Sequence, residues 1–259
     1  MITFENVSYK YSNSYRENLT GLNFEFHKGD TVLILGENGS GKTTLLSLIS
    51  NLIFPDSGSV KLFGMNTKEK NFEKFFRRKI GYVFQTPYNS LLNRTVFEEV
   101  VWILKNYGID NEEGKYSDCM RSFGLNPEKM KNRNPMKLSL SEKKKISIIS
   151  NIIHDPSVLL VDEPNILFDY YSYQSLINIF NEYKSKNNIL IIATNYPENF
   201  IFLANKIVYL KDKTVSFFGN TKDFFQEGIF FSKELEVVKN YLWKNGRLPD
   251  KIEQYFVDK

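Results

Sequence analysis

Gly36-Glu37-Asn38-Gly39-Ser40-Gly41-Lys42-Thr43, with Thr44 behind it, brings glycines, an amine and hydroxyls into one short stretch. Glycines let a backbone curl until several N–H groups converge on one anion, at the positive end of the helix that follows. Lys42 then reaches the outer phosphates of a nucleotide, and the Thr43 hydroxyl reaches its Mg²⁺. The chemistry that fits is binding of ATP with magnesium. A chance match in a chain of this length occurs on the order of once in a hundred. The β-prone run Thr31–Leu35 and the helical spacing of Leu45–Ile49 supply the context the motif needs.

A second set of groups follows in Ser157-Val158-Leu159-Leu160-Val161-Asp162-Glu163-Pro164. Four apolar residues read as a buried strand of parallel type, and ligands of open α/β sheets sit where such strands end. Asp162 is placed to hold the Mg²⁺ shell, and Glu163 to orient and polarise an attacking water as general base. One acid after a strand is common. Asp-Glu-Pro downstream of a phosphate loop is a far stronger signal.

These groups need elements to hold them. Strand patterns at 31–35, 80–84, 158–162, 189–194 and 206–210 alternate with helical ones, which predicts an α/β core. The chain has 259 residues, 42% hydrophobic and 25% charged, ordinary for a soluble globular protein. Its longest apolar runs, such as Val158–Val161 and Ile189–Ala193, are too short to cross a bilayer, and no secretory signal opens the sequence. The single Cys119 excludes a disulfide framework and fits a reducing cytosol. A net charge of +4, scattered along the chain, argues against a dedicated nucleic-acid binder. His27 and His154 lie at no metal-ligand spacing. The polar stretch Asp110–Tyr116 reads as an exposed loop or a helix start.

Taken in order, the motifs resemble those of the nucleotide-binding subunits of ABC transporters, from Thr3 to about Phe225. The resemblance implies a P-loop NTPase core with an N-terminal antiparallel β-subdomain, a helical insertion and a C-terminal helical extension. It implies an ATPase domain over 1–226, a helical subdomain over about 86–151 and an extension over 227–259 that could dimerise. Tyr11 falls where the family stacks an aromatic on adenine, although an ordinary strand tyrosine is equally at home there. Pro55–Val60 resembles the family's hairpin after the first helix. Gly81-Tyr82-Val83-Phe84-Gln85 resembles the Q-loop, whose Gln contacts Mg²⁺ and senses the membrane subunit. Phe168-Asp169 resembles the D-loop that crosses to the partner.

Two departures stand out. The family's Leu-Ser-Gly-Gly-Gln signature aligns with Leu138-Ser139-Leu140-Ser141-Glu142. Ser139 is kept for a γ-phosphate, but Leu140 and Ser141 add side chains where backbone should approach closely. Glu142 faces the anion with negative charge unless the following lysines compensate. After the strand ending in Thr194 the family's switch His is replaced by Asn195, which donates a hydrogen bond but carries no proton or charge. Each composite site of the family joins one subunit's P-loop, acids and switch residue to the other's signature. These lesions therefore predict a heterodimer, in which a partner supplies an intact signature to this P-loop.

The segment after Gln85 starts Thr86-Pro87-Tyr88-Asn89-Ser90, and Thr95-Val96-Phe97-Glu98-Glu99-Val100 follows. It is similar to energy-coupling-factor (ECF) and cobalt-type importer ATPases, and those families also place Glu and Lys as Glu142 and Lys143 stand here. The apolar stripe Leu235, Val238, Leu242 and the segment Gly246-Arg247-Leu248-Pro249 resemble the extension by which ECF ATPases dimerise. Packing of that stripe on the chain's own core is an equal alternative. The resemblance implies a second ATPase, a transmembrane coupling subunit, a substrate-binding membrane subunit, and a place on the cytoplasmic face of the membrane. An exporter ATPase, or a regulatory ATP-binding subunit with little turnover, stays open.

Overall fold

The computed structural model describes residues 1–12, 17–86, 91–164, 168–228 and 233–245, with backbone alone at 233, 234, 241–243 and 245. Two compact units divide the chain: Met1–Phe72 with Ile191–Lys259, and Glu73–Leu190.

The first unit opens with β1 (Ile2–Tyr9), paired antiparallel to β2 (Leu19–Phe26) in the register Ile2↔Phe26 and Phe4↔Phe24. The rings of Phe4 and Phe24 stack at 4.6 Å across that pair. An irregularity around Asn6, at φ 49°, inserts a residue, so Val7 is buried where strict alternation would turn it out. All positions of β3 (Thr31–Gly36) are buried, as a strand covered on both faces requires. The helix α1 (Lys42–Ile49) buries Leu45, Leu46, Leu48 and Ile49, each contributing roughly 1.5–3 kcal/mol of apolar burial. On the far side of β1 runs β4 (Ser57–Leu62), and β5 (Met65–Asn66) pairs with it. The order β2-β1-β4-β5 is the antiparallel subdomain expected near the N-terminus.

The short helix α2 (Phe72–Phe76) spans the division between the units. In the second unit β6 (Ile80–Val83) is followed by α3 (Val96–Tyr107), α4 (Glu112–Ser122), α5 (Pro127–Lys131) and α6 (Leu140–Ile152). Then come β7 (Val158–Asp162), parallel to β6, and α7 (Tyr170–Ser185). The start of α3 explains the run from Thr95 to Val100. Thr95 and Glu98 form a reciprocal cap, while Glu99, 7% exposed, accepts the backbone N–H groups of Leu92 and Asn93 at 2.8 and 2.7 Å. The stretch 110–116 does start a helix, but it is not exposed throughout. Tyr116 turns inward, fully buried, and donates its hydroxyl to the Pro127 carbonyl at 3.0 Å.

β8 (Ile189–Ala193) returns the chain to the first unit. There β9 (Lys206–Lys211) runs parallel to β3, and β10 (Thr214–Asn220) turns back on β9 through Asp212 and Lys213, both at positive φ. The helices α8 (Thr221–Gln226) and α9 (Lys233–Asn245) follow. Leu235 and Val238 of α9 are buried, against the turn Pro197–Asn199 of the same unit, so this part of the apolar stripe is covered by the chain itself. The side chain of Leu242 and the segment Gly246–Pro249 lie outside the described residues. The five strands read from the sequence are all present, to within one residue at each end. Among the described residues no helix is long and apolar enough to cross a membrane.

Candidate active site

The first unit builds the phosphate side. Gly36 ends β3 at φ 152°, and a β-carbon there would stand 2.5 Å from the Leu210 carbonyl oxygen and from Ser40 Oγ. Gly41, at φ 109°, would bring one to 2.6 Å from Leu19 Cδ2. Both positions admit only glycine, and between them the loop reverses direction. Gly41 caps α1 without a side-chain hydrogen bond, so the first amides of the helix point out of its open end. Glu37, Asn38 and Gly39 are exposed along the rim, as is Thr43, while Ser40 and Thr44 are buried.

The Lys42 side chain is 7% exposed and returns over the loop. Its ammonium donates to the carbonyls of Gly36 (2.8 Å) and Glu37 (3.1 Å) and to Asn195 Oδ1 (2.7 Å). Asn195 in turn donates from Nδ2 to Asn38 Oδ1 at 2.5 Å. The hydrogen bond from Thr194 N–H to Ile34 O, 3.1 Å, brings the end of β8 beside β3 and so delivers Asn195 to the loop. Tyr11 stands edge-on to Tyr9, half exposed, with its hydroxyl 3.4 Å from Thr44 Oγ1. The fold thus gathers Tyr11, the loop 36–44 and Asn195, which are remote in sequence.

The second unit builds the acidic side. β7 delivers Asp162, 2% exposed, and Glu163, 3% exposed, at its end. Glu163 has φ 46°, a left-handed conformation costing on the order of 1–3 kcal/mol for a non-glycine residue, which marks a constrained strand exit. Gln85 is exposed just past β6. Lys144 of α6 is fully buried, and its ammonium donates to the carbonyls of Phe84 and Gln85 at 2.8 and 3.0 Å, with that of Asp162 at 3.4 Å. Burial brings this lysine down to about 8, opposed by the attraction of Asp162 and Glu163. Asp169 is exposed and caps α7, accepting from Ser172 N–H at 2.8 Å; that hydrogen bond holds its carboxyl below the usual range.

The same unit carries the stretch 138–142. Ser139 caps α6, and its side chain and that of Glu142 exchange hydrogen bonds with each other's backbone amides at 3.2 and 2.9 Å. Glu142 pairs with Arg133 at 2.8 Å, while of the lysines that follow it Lys144 is buried and Lys145 reaches the Phe123 carbonyl. The helix period accounts for this, because Lys144 shares its face with Ser147, Ile148 and Asn151, which turns inward. Ser141 is half-buried and Leu140 is 41% exposed at the helix start.

A loop of amides and an ammonium suits a triphosphate, and a strand ending in two buried acids suits water activation. The family model described as ABC transporter matches residues 19–165. This chain belongs to that family. The ABC ATPase is 37% identical over 242 residues to a putative ABC transporter ATP-binding protein of Pyrococcus horikoshii, covering 92% of each chain. To an energy-coupling factor transporter ATP-binding protein of Fusobacterium nucleatum it is 32% identical over 254 residues, 97% of this chain and 94% of that one. Its fold superposes on the structure of cbiO1 from Clostridium perfringens, part of the ABC transporter complex cbiONQ, with a TM-score of 0.72, 25% identity and 95% coverage of both chains.

As a member of this family the chain is an ATP-binding, ATP-hydrolysing transporter cassette. Within the second unit, the oxygen donors of Gln85 and Asp162 are of the kind that suits magnesium, a hard cation that keeps several waters and phosphate oxygens. Among the described residues no group of three His, Cys, Asp or Glu is placed to hold a metal ion. Sequence reasoning missed two residues of the ABC ATPase, Arg133 and Lys144. A capping-box spacing, Ser139 to Glu142, was the available signal that Glu142 is engaged by its own helix. Pro87–Ser90 of the Q-loop segment lie outside the described residues.

Proposed function

We propose that this ATPase powers an importer of the energy-coupling-factor or cobalt type, for vitamins or metal ions, as one half of a heterodimeric pair. The similarity to the Fusobacterium ATP-binding protein and to cbiO1 extends through nearly the whole chain and supports the branch. In this reading residues 1–226 form the ATPase domain, with a helical subdomain over about 86–151, and 227–259 is an added extension. The partners are a second ATPase, a transmembrane coupling subunit and a substrate-binding membrane subunit, and the chain lies on the cytoplasmic face of the membrane.

ATP lies on the loop Gly36–Thr44, with Tyr11 against the base and Asn195 at the γ-phosphate. Magnesium bound with the nucleotide would neutralise phosphate charge, and Thr43, Gln85 and Asp162 would hold it. Glu163 takes a proton from the water that attacks the γ-phosphorus in line, and the ADP oxygen leaves. Nucleotide draws the two subunits together, release reopens them, and Gln85 and Asp169 relay the state to the membrane subunit and the partner.

One observation carries the heterodimer. The amides of Ser139 and Glu142 are engaged by the cap, and a carboxylate held by Arg133 sits at the helix end that should meet a phosphate. A site facing this helix turns ATP over poorly, so an intact signature must come from a different chain. The same closed cap favours a second reading, an ATP-binding regulatory subunit with little turnover of its own. The test is sedimentation and ATPase assay of the chain alone and with its co-purified partner. Weak hydrolysis alone, raised by the partner, is expected. An ATP-dependent homodimer with brisk turnover refutes the proposal, and absent stimulation by the partner selects the regulatory reading.

A further inference from the structure

Lys144 is a fully buried cation on the helix that starts at Ser139. A desolvated ammonium is costly unless its donors are all engaged, and here three N–H groups face three carbonyls. The acceptors are not arbitrary. Phe84 and Gln85 carry the chain out of β6, and Asp162 is the last residue of β7, directly before Glu163. One side chain therefore ties the backbone at Gln85 and at the acidic strand end to a single helix. Asp162 and Glu163 both attract its charge.

We propose that Lys144 is a positioning residue for hydrolysis, fixing the backbone of Gln85 and of the Asp162–Glu163 strand end in one arrangement. The proposal rests on the reading of Glu163 as general base and Gln85 as a metal contact. A methionine would fill much of the same volume and leave the carbonyls without donors. A glutamine would offer two donors for the three carbonyls. Neither change touches the loop that binds the triphosphate.

The experiment compares wild type, Lys144→Met, Lys144→Gln and Glu163→Gln in the full chain with its partner subunits. It measures MgATP affinity by calorimetry, kcat, KM, and the Mg²⁺ concentration for half-maximal rate. Lys144→Met should lower kcat about 10- to 100-fold, as loss of a residue supporting site ligands does, and raise the Mg²⁺ requirement. Its ATP affinity should stay within about twofold of wild type, and Lys144→Gln should recover part of kcat. A folded Lys144→Met with wild-type kcat and Mg²⁺ dependence overturns the proposal. So does an equal loss of affinity and kcat that Lys144→Gln fails to relieve, since that marks general damage to the fold. If Lys144→Met does not fold, a folded Lys144→Gln with wild-type kcat overturns it. Full turnover by Glu163→Gln instead overturns the hydrolysis reading on which the proposal stands.

Discussion

Replacing Glu142 with glutamine separates two roles of that side chain. The amide oxygen still accepts the Ser139 N–H, now accepted at 2.9 Å, so the cap survives. What is lost is the negative charge and the oxygen that accepts from Arg133. With them go the 2.8 Å pair to Arg133, whose partners are 44% and 27% exposed, and the favourable interaction with the first turn of α6. A pair of that exposure contributes about 0–1 kcal/mol and a charge at a helix start about 0.3–1 kcal/mol. Glu142→Gln should therefore cost about 1 kcal/mol at neutral pH, roughly 2–4 °C in Tm for a chain of this size. The cost must disappear in acid. Partial burial pushes the Glu142 carboxyl up, but hydrogen bonds from Ser139 and Arg133 outweigh it and hold the group below 4.5. Its contribution is present above the unfolded value and is lost as pH falls through the lower folded one. In the proposed pair, lifting about 1 kcal/mol of repulsion from the phosphates facing this helix should raise turnover at that site roughly fivefold. Urea unfolding at pH 7 and in acid, with ATPase assays of the assembled pair, reads both effects. A stability loss independent of pH, or unchanged turnover, refutes the reasoning.

Glu163→Gln should slow hydrolysis by about 10²- to 10⁴-fold while ATP still binds, since the amide fills the same space but takes no proton; calorimetry and single-turnover assays check it, and unchanged turnover removes Glu163 as the base. Burial pushes the Cys119 thiol from 9.0 up to about 11. Iodoacetamide at pH 8 should therefore modify the folded chain about a hundredfold more slowly than the urea-unfolded chain, and equal rates would contradict the burial.

Contiguous residues made much of the site legible. The loop 36–44, the strand 158–162 and its acids are local patterns, since a tight turn, a buried strand and a helix start each depend on neighbours in sequence. The capping boxes Thr95–Glu98 and Ser139–Glu142 belong with them, because their hydrogen bonds close within one helical turn. What the sequence alone determined, then, is a nucleotide loop, an acidic strand end and the α/β core between them.

Tertiary structure decided which side chains meet. Lys144 follows the signature stretch like any solvated lysine, and only packing of α6 on β6 turns it inward to a carbonyl 60 residues away. Asn195 takes its place on Lys42 across 153 residues of chain, and Arg133 reaches Glu142 from before the helix. Leu235 and Val238 read equally well as a partner's surface until the turn at Pro197–Asn199 covered them. For Lys144 the competing local reading was a solvent-facing side chain. Desolvation overrides that reading only where distant elements supply the burial and the hydrogen-bond partners together.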